Sequence, residues 1–329
     1  MIGKVWLGGG LHSFDTITSV ENLLGAWQEF VRGKKTKPDV QEFGLGLMDA
    51  ILTLHDDLVT DSYHHSPYLK FRINDPKPRD ISKTIVRDRL LHHALYRVLY
   101  PFFDGKFIAD SYSCRVAKGA HRALNRFRAF ACQVSKNHTR TCWVLTCDIR
   151  KFFASIDHGI LNDILEAHIS DPDTLGLLSE IIESFSPGLP LGNLTSQLLV
   201  NIYMNEFDQF AKRQLKTKHY IRYADDFVFL HQDKGYLEEL LPRVGAFLSE
   251  RLKLNLHPKK VSITTLASGI DFLGWVHFPD HRVLRTTTKR RMIRRVVSGT
   301  TDEQAASYRG LLSHGNTKKL ISLLPASGA

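Results

Sequence analysis

Apolar positions along this chain recur in two rhythms, one spaced three to four residues apart and one unbroken or alternating, and the changes between them mark the elements. Leu23, Leu24, Trp27, Phe30 and Val31 share one helical face behind a capping-box pattern of Thr18 and Glu21, and this helix ends near Gly33. A basic break at Lys34, Lys35, Lys37 and Pro38 precedes a second helical stretch over 43–54. Over 68–73 the pattern turns strand-like, and Asp75-Pro76-Lys77-Pro78 supplies a turn before Arg79. Leu90, Leu91, Ala94, Leu95, Val98 and Leu99 return to helical spacing over 86–99, with Arg87, Arg89, His92 and His93 on other faces.

Residues 142–147 read Cys-Trp-Val-Leu-Thr-Cys, too short for a helix and rich in strand formers, and they end in Asp148. A second such pattern covers 219–230, where Tyr220, Ile221 and Tyr223, then Phe227, Val228, Phe229 and Leu230, flank Ala224, Asp225 and Asp226. That predicts a hairpin with an acidic tip. A helix over 237–254, a turn at His257-Pro258 and strands over 261–264 and 272–278 follow. Arg285, Lys289, Arg290, Arg291, Arg294 and Arg295 then place six positive charges in eleven positions, interleaved with Met292, Ile293 and Val296, which predicts a small basic helical domain.

Composition adds a direction. With 43% hydrophobic and 24% charged residues the chain is an ordinary globular protein, and 44 basic against 34 acidic residues give +10, which suits a polyanionic partner such as nucleic acid. No apolar run is long enough to span a bilayer and no secretory leader is visible, so a cytoplasmic address is expected. Cys114, Cys132, Cys142 and Cys147 lack Cys-x-x-Cys spacing and read as reduced thiols, the last two buried. The pairs His64-His65 and His92-His93 have no carboxylate at ligand spacing and read as surface residues, and Gly8-Gly9-Gly10 as a flexible lead-in.

Two adjacent carboxylates between apolar strands are costly unless cations neutralise them. Hard oxygen donors select magnesium, and two ions about 4 Å apart would activate a hydroxyl and stabilise a leaving pyrophosphate. Asp148, at the end of a separate strand, supplies a third carboxylate.

At these residues the chain resembles the reverse transcriptase family. Tyr223-Ala224-Asp225-Asp226 matches its Tyr-x-Asp-Asp box, and 148–157, Asp-Ile-Arg-Lys-Phe-Phe-Ala-Ser-Ile-Asp, is similar to its first catalytic box. Pro78-Arg79 and Arg87-Asp88-Arg89 resemble fingers motifs, 111–121 the following segment, 188–197 the nucleotide-pocket motif, Lys259-Lys260 the lysine-bearing segment and Phe272-Leu273-Gly274-Trp275 the primer grip. The resemblance implies an α+β right-hand polymerase, with fingers and palm interleaved over 1–284 and a basic helical thumb over 285–329.

It further implies catalytic Asp148, Asp225 and Asp226. Two Mg2+ ions, or Mn2+ in their place, would be held by Asp148, Asp225 and the Ile149 carbonyl. A nucleotide site of Arg79, Phe153, Leu191, Gly192, Gln197 and Lys260 is implied, with nucleic-acid backbone contacts at Arg115, Arg285, Lys289, Arg290 and Arg294. Where the common pocket motif reads Gln-Gly-x-x-x-Ser-Pro, this chain has Leu191-Gly192-Asn193-Leu194-Thr195-Ser196-Gln197. That variant is similar to the enzymes of diversity-generating retroelements of bacteria and phages. These copy a template repeat RNA from a DNA primer with deoxynucleoside triphosphates, err at adenines and act with a small helical, oligomeric accessory variability protein. Alternatives are a faithful reverse transcriptase of a retron, group II intron or phage-defence system, and a non-catalytic RNA-binding module.

Overall fold

The computed structural model describes residues 13–74 and 78–324. The Gly8–Gly10 run, positions 75–77 of the expected turn and the last five residues of the expected thumb lie outside the described residues. Helices α1 (Phe14–Thr18) and α2 (Val20–Phe30) meet at Ser19, whose hydroxyl accepts the Asn22 N–H. The cap is therefore Ser19 and not Thr18, which is buried and donates its own hydroxyl to Phe14 C=O at 2.9 Å. The stretch expected as one helix over 43–54 divides at Gly46 into α3 (Pro38–Leu45), started by a proline at its first turn, and α4 (Leu47–Val59).

Strands β1 (Leu69–Ile73) and β2 (Arg79–Lys83) form an antiparallel hairpin before α5 (Val86–Asp104), which runs on through Pro101. Helix α6 (Ala120–Val134) was not among the expected elements, although Leu124, Phe127, Ala131 and Val134 bury one helical face. Beyond it come β3 (Trp143–Asp148), α7 (His158–Glu166), α8 (Pro172–Glu183) and α9 (Leu194–Gln209). The acidic hairpin is β4 (Tyr220–Tyr223) and β5 (Asp226–His231), followed by α10 (Lys234–Leu252), β6 (Ser262–Thr265), β7 (Ile270–Phe272), β8 (Trp275–His277) and β9 (Arg282–Leu284). Helices α11 (Thr286–Val297), α12 (Asp302–Leu312) and α13 (Lys318–Ile321) close the described chain. The single strand expected over 272–278 is thus two, folded back at Leu273 and Gly274, both with positive φ as the tight two-residue hairpin turn demands.

Two compact units share these elements, each assembled from three stretches of chain. One takes the chain up to Ile108, Lys151–Asp208 and Ser249–Leu254. In it α2 packs on α5, with Leu23, Ala26, Leu90, Leu91, Ala94 and Leu95 fully buried. Each large apolar side chain removed from water there contributes about 1.5–3 kcal/mol.

The other unit takes Ala109–Arg150, Gln209–Leu248 and the chain from Asn255. Its four-stranded antiparallel sheet has the order β4-β5-β3-β6, and α6 packs against β4 and β5. Phe227, Val228, Phe229 and Leu230 are all buried, so both faces of β5 are out of water. A separate sheet, β7-β8-β9, carries Trp275 and Leu284 into a core shared with Met292 of α11 and Leu312 of α12.

Candidate active site

The second unit brings the three aspartates together by strand register. β3 pairs with β5 so that Asp148 stands opposite Asp226, and β4 pairs with β5 so that Tyr223 does too. Ala224 and Asp225 form the tip, and Ala224 holds φ at 55°, a conformation that side chains other than glycine's adopt only at a cost. The tip is tied down: Ile149 N–H donates to Asp225 C=O at 3.1 Å, and His257 N–H to Asp148 C=O at 2.7 Å.

Beneath the tip lies Arg222, completely buried, which donates from Nη1 to Ala224 C=O at 3.2 Å and from Nη2 to Ser111 Oγ at 3.1 Å. Sequence reasoning missed this residue; its one local signal is a cation in the apolar run Tyr-Ile-Arg-Tyr. Its guanidinium ties the turn at Ala224 to Ser111.

Burial, then Asp225, then Asp148 push the Asp226 carboxyl up to about 8. Arg285 opposes the shift and Asp271 adds to it, and these two are themselves paired, Arg285 Nε donating to Asp271 Oδ1 at 2.8 Å. The expected Lys260 is already at the site: its ammonium donates to both Asp148 oxygens, at 2.8 and 2.7 Å. A cation thus sits where crowded carboxylates call for one.

The model for the family described as "Reverse transcriptase (RNA-dependent DNA polymerase)" matches residues 73–277, a span that contains all three aspartates, Lys260 and the β7–β8 hairpin. The chain belongs to the reverse transcriptase family. Protein YkfC of Escherichia coli K12 is 27% identical to this reverse transcriptase over 305 residues, 79% of this chain and 77% of that protein. The group II intron-encoded protein LtrA of Lactococcus lactis is 22% identical over 339 residues, 79% of this chain and 54% of LtrA, so the chain spans about half the length of that relative. The fold is that of apo telomerase from Candida tropicalis truncated from its C-terminal domain, with a TM-score of 0.51 at 11% identity over 70% of this chain and 59% of that one. The right-hand polymerase fold and the relation to group II intron-encoded proteins follow.

Reverse transcriptases generally use divalent metal ions, and the residues here fit such ions. The donors are carboxylate oxygens, their mutual repulsion helps to raise Asp226, and an ammonium already bridges Asp148. As the side chains stand, no three His, Cys, Asp or Glu residues among the described residues are arranged to hold an ion.

The reverse transcriptase's other motif residues fall in both units. Phe272 and Trp275 are paired and buried around the Leu273-Gly274 turn, and Gly274 C=O accepts the Arg285 N–H at 3.0 Å. Arg115 donates to Ser111 C=O at 3.1 Å, and Lys289, Arg290 and Arg294 lie along α11.

In the first unit, Phe153 and Leu191 line one cavity of about 510 Å3 together with Lys70, Arg72 and Phe185. Arg79 is placed at the exposed start of β2, opposite Ile73, and the cations of the cavity wall are Lys70 and Arg72, which sequence reasoning did not single out. Leu191 C=O accepts the Ser82 N–H at 3.0 Å, which lays the pocket motif on β2. Gly192 and Gln197 line a second cavity, of about 400 Å3, with Arg89, His92 and His93.

His92 corrects the surface reading given to the histidine pairs, for it is 2% exposed. It lies on the packed face of α5, hydrogen-bonded through Nδ1 to Thr195 and through Nε2 to His65 Nε2 at 3.1 Å, and burial pushes it down to about 3, so it is neutral. Tyr68 hydroxyl, 3.3 Å from His65 Nε2, accepts from Asn193 Nδ2 at 3.0 Å. Two residues of the pocket motif, Asn193 and Thr195, are thereby fixed from behind.

Proposed function

We propose that this chain is the RNA-directed DNA polymerase of a diversity-generating retroelement, copying a template RNA from a DNA primer with errors directed to adenines. The polymerase part rests on the register that sets Asp148 opposite Asp226 with Asp225 at the adjoining tip. The subfamily rests on Leu191 and Gln197 in the pocket motif.

Asp148, Asp225 and the Ile149 carbonyl would hold two divalent ions, Mg2+ or Mn2+, with Asp226 completing the negative field beside them. When bound, these supply a Lewis acid for the primer 3′ hydroxyl and neutralise charge on the leaving pyrophosphate. The chain's own residues do the rest. Lys260, released from Asp148, is an ammonium able to pass its proton to the leaving oxygen. Guanidiniums of Arg79 and Arg72, with Lys70, clamp the triphosphate. Phe153 crowds the sugar, and the Phe272–Trp275 hairpin seats the primer end.

Leu191 neither donates nor accepts a hydrogen bond through its side chain, so a site built with it holds the nascent base pair less strictly than one with glutamine. The stretch from Arg285 onward serves as a basic thumb, and an oligomeric helical accessory protein is the expected partner.

Primer extension on a defined RNA, followed by sequencing of the cDNA, tests both levels. Asp225→Asn is expected to lower the rate by about 10²–10³-fold, and Leu191→Gln to reduce errors opposite adenine. Uniformly accurate cDNA from the parent enzyme indicates a faithful reverse transcriptase instead. No extension at all indicates an RNA-binding module.

A further inference from the structure

Helix α4 carries apolar residues on two sides. Ile51, Leu54 and Leu58 are buried, as the packed side of an amphipathic helix should be. Met48, Leu52 and Val59, spaced four and seven residues apart, form a second row that is between 45% and 58% exposed. Leu45, across the break at Gly46, is 92% exposed. A lone exposed leucine is ordinary, but a row of apolar side chains along roughly 17 Å of one helix marks a surface that something covers.

Charge narrows what covers it. Over 38–69 the chain has six acidic residues, Asp39, Glu42, Asp49, Asp56, Asp57 and Asp61, and no lysine or arginine, in a protein of net charge +10. Half-buried Asp39 pairs with Lys83 at 2.7 Å and with Arg89 at 2.5 Å, and half-buried Asp57 with Arg87 at 3.3 Å. Glu42, Asp49, Asp56 and Asp61 are exposed and form no ion pair among the described residues. Asp49 and Asp56, three residues before Leu52 and four after it, stand beside the apolar row. Phosphates are repelled here, and so is an anionic bilayer surface. A second copy of the chain fits poorly. Its most basic helix, α11, packs Met292, Ile293 and Val296 into its own core and leaves Val297 as its one exposed large apolar residue. The matching surface is a helix whose apolar stripe is edged by lysine or arginine.

We propose that this face docks a basic amphipathic helix of a partner protein, its apolar stripe laid on Leu45, Met48, Leu52 and Val59 and its cations reaching Asp49 and Asp56. The inference stands on the face alone and needs neither the polymerase reading nor the subfamily.

The test titrates the full chain into a fluorescein-labelled helical peptide of about 18 residues, leucine and lysine only, with leucines at i, i+3, i+4 and i+7, and into the same peptide with glutamate for lysine. The lysine peptide is expected to bind and the glutamate peptide not to. Leu45→Ser with Leu52→Ser should weaken the lysine peptide about tenfold. Asp49→Lys with Asp56→Lys should weaken it likewise and gain affinity for the glutamate peptide, an exchange that a merely damaged fold would not produce. RNA affinity, measured alongside, should stay at the parent's value in the leucine variant. Equal binding of both peptides by the parent leaves an adhesive apolar patch and overturns the charge-matched partner. Lysine-peptide affinity unchanged in both variants places that binding elsewhere and overturns the proposal altogether. A parent chain that light scattering finds dimeric, with the leucine variant monomeric, gives the face to a second copy instead; loss of RNA affinity in the leucine variant gives it to nucleic acid.

Discussion

On the proposed reading, Phe153 sets the substrate range. Its ring stands in a cavity wall with Leu191, Lys70 and Arg72, half-buried and free to meet a sugar edge. Phe153→Ala is expected to admit ribonucleotides, checked by primer extension with each nucleotide type alone; continued rejection of ribonucleotides assigns the ring to packing. Close by, Gly188 holds φ at +70°, and a Cβ there would meet Phe153 C=O at 2.2 Å. Gly188→Ala should therefore cost roughly 2–5 kcal/mol from strain and overpacking together, read as a lower urea midpoint with an unchanged slope. Of these residue-scale facts, the aspartates were the most legible, because a charge at the end of an apolar strand is a local signal. Arg222 was not, since its meaning depends on Ser111 far upstream and on the bend at Ala224.

At the scale of elements, the strands flanking the acidic tip were readable from the short apolar runs on either side of it, while the partners of α5 were not. Asp88, fully buried on α5, accepts from Thr84 Oγ1 at 2.7 Å, Ser66 N–H at 3.0 Å and Tyr63 hydroxyl at 3.1 Å, tying the helix to the loop before β1. Burial pushes its carboxyl up, and the Thr84 and Ser66 hydrogen bonds with the charge of His65 outweigh that and hold it below the usual range. A folded pKa below the unfolded one adds stability that is complete above the unfolded value and lost as pH falls through the folded one. The chain should accordingly lose stability on acidification below about pH 4, and Asp88→Asn should show a shallower loss between pH 6 and pH 3, whatever it costs at pH 6. An identical slope in both proteins places the acid sensitivity elsewhere. The links from His65 to His92 and from His92 to Thr195 cross 27 and 103 residues, distances at which no periodicity speaks, which is why His92 reads from sequence as a surface residue.

For the whole molecule, the net charge of +10 is the coarsest feature and among the most informative. Helix α11 concentrates it, exposing Lys289, Arg290 and Arg294 while burying Met292. A cation that no longer meets a phosphate flattens the dependence of RNA affinity on salt, so Arg290→Ala with Arg294→Ala is expected to reduce the log–log slope by about 1–2, measured from 50 to 300 mM salt. A slope equal to the parent's makes α11 a solvated face. The right-hand polymerase class emerged from motif order, whereas the division into two units did not, because each unit is stitched from three stretches and no linker composition marks the joins.

That stitching has a bearing on synthesis. While the ribosome is still making the chain, β3 emerges with neither sheet neighbour available, since β5 and β6 lie roughly 80 and 115 residues later. A strand of buried hydrophobic residues must then wait in the open, exposed to other nascent chains or to a chaperone, and truncated products ending before Asp226 should be found in the insoluble fraction.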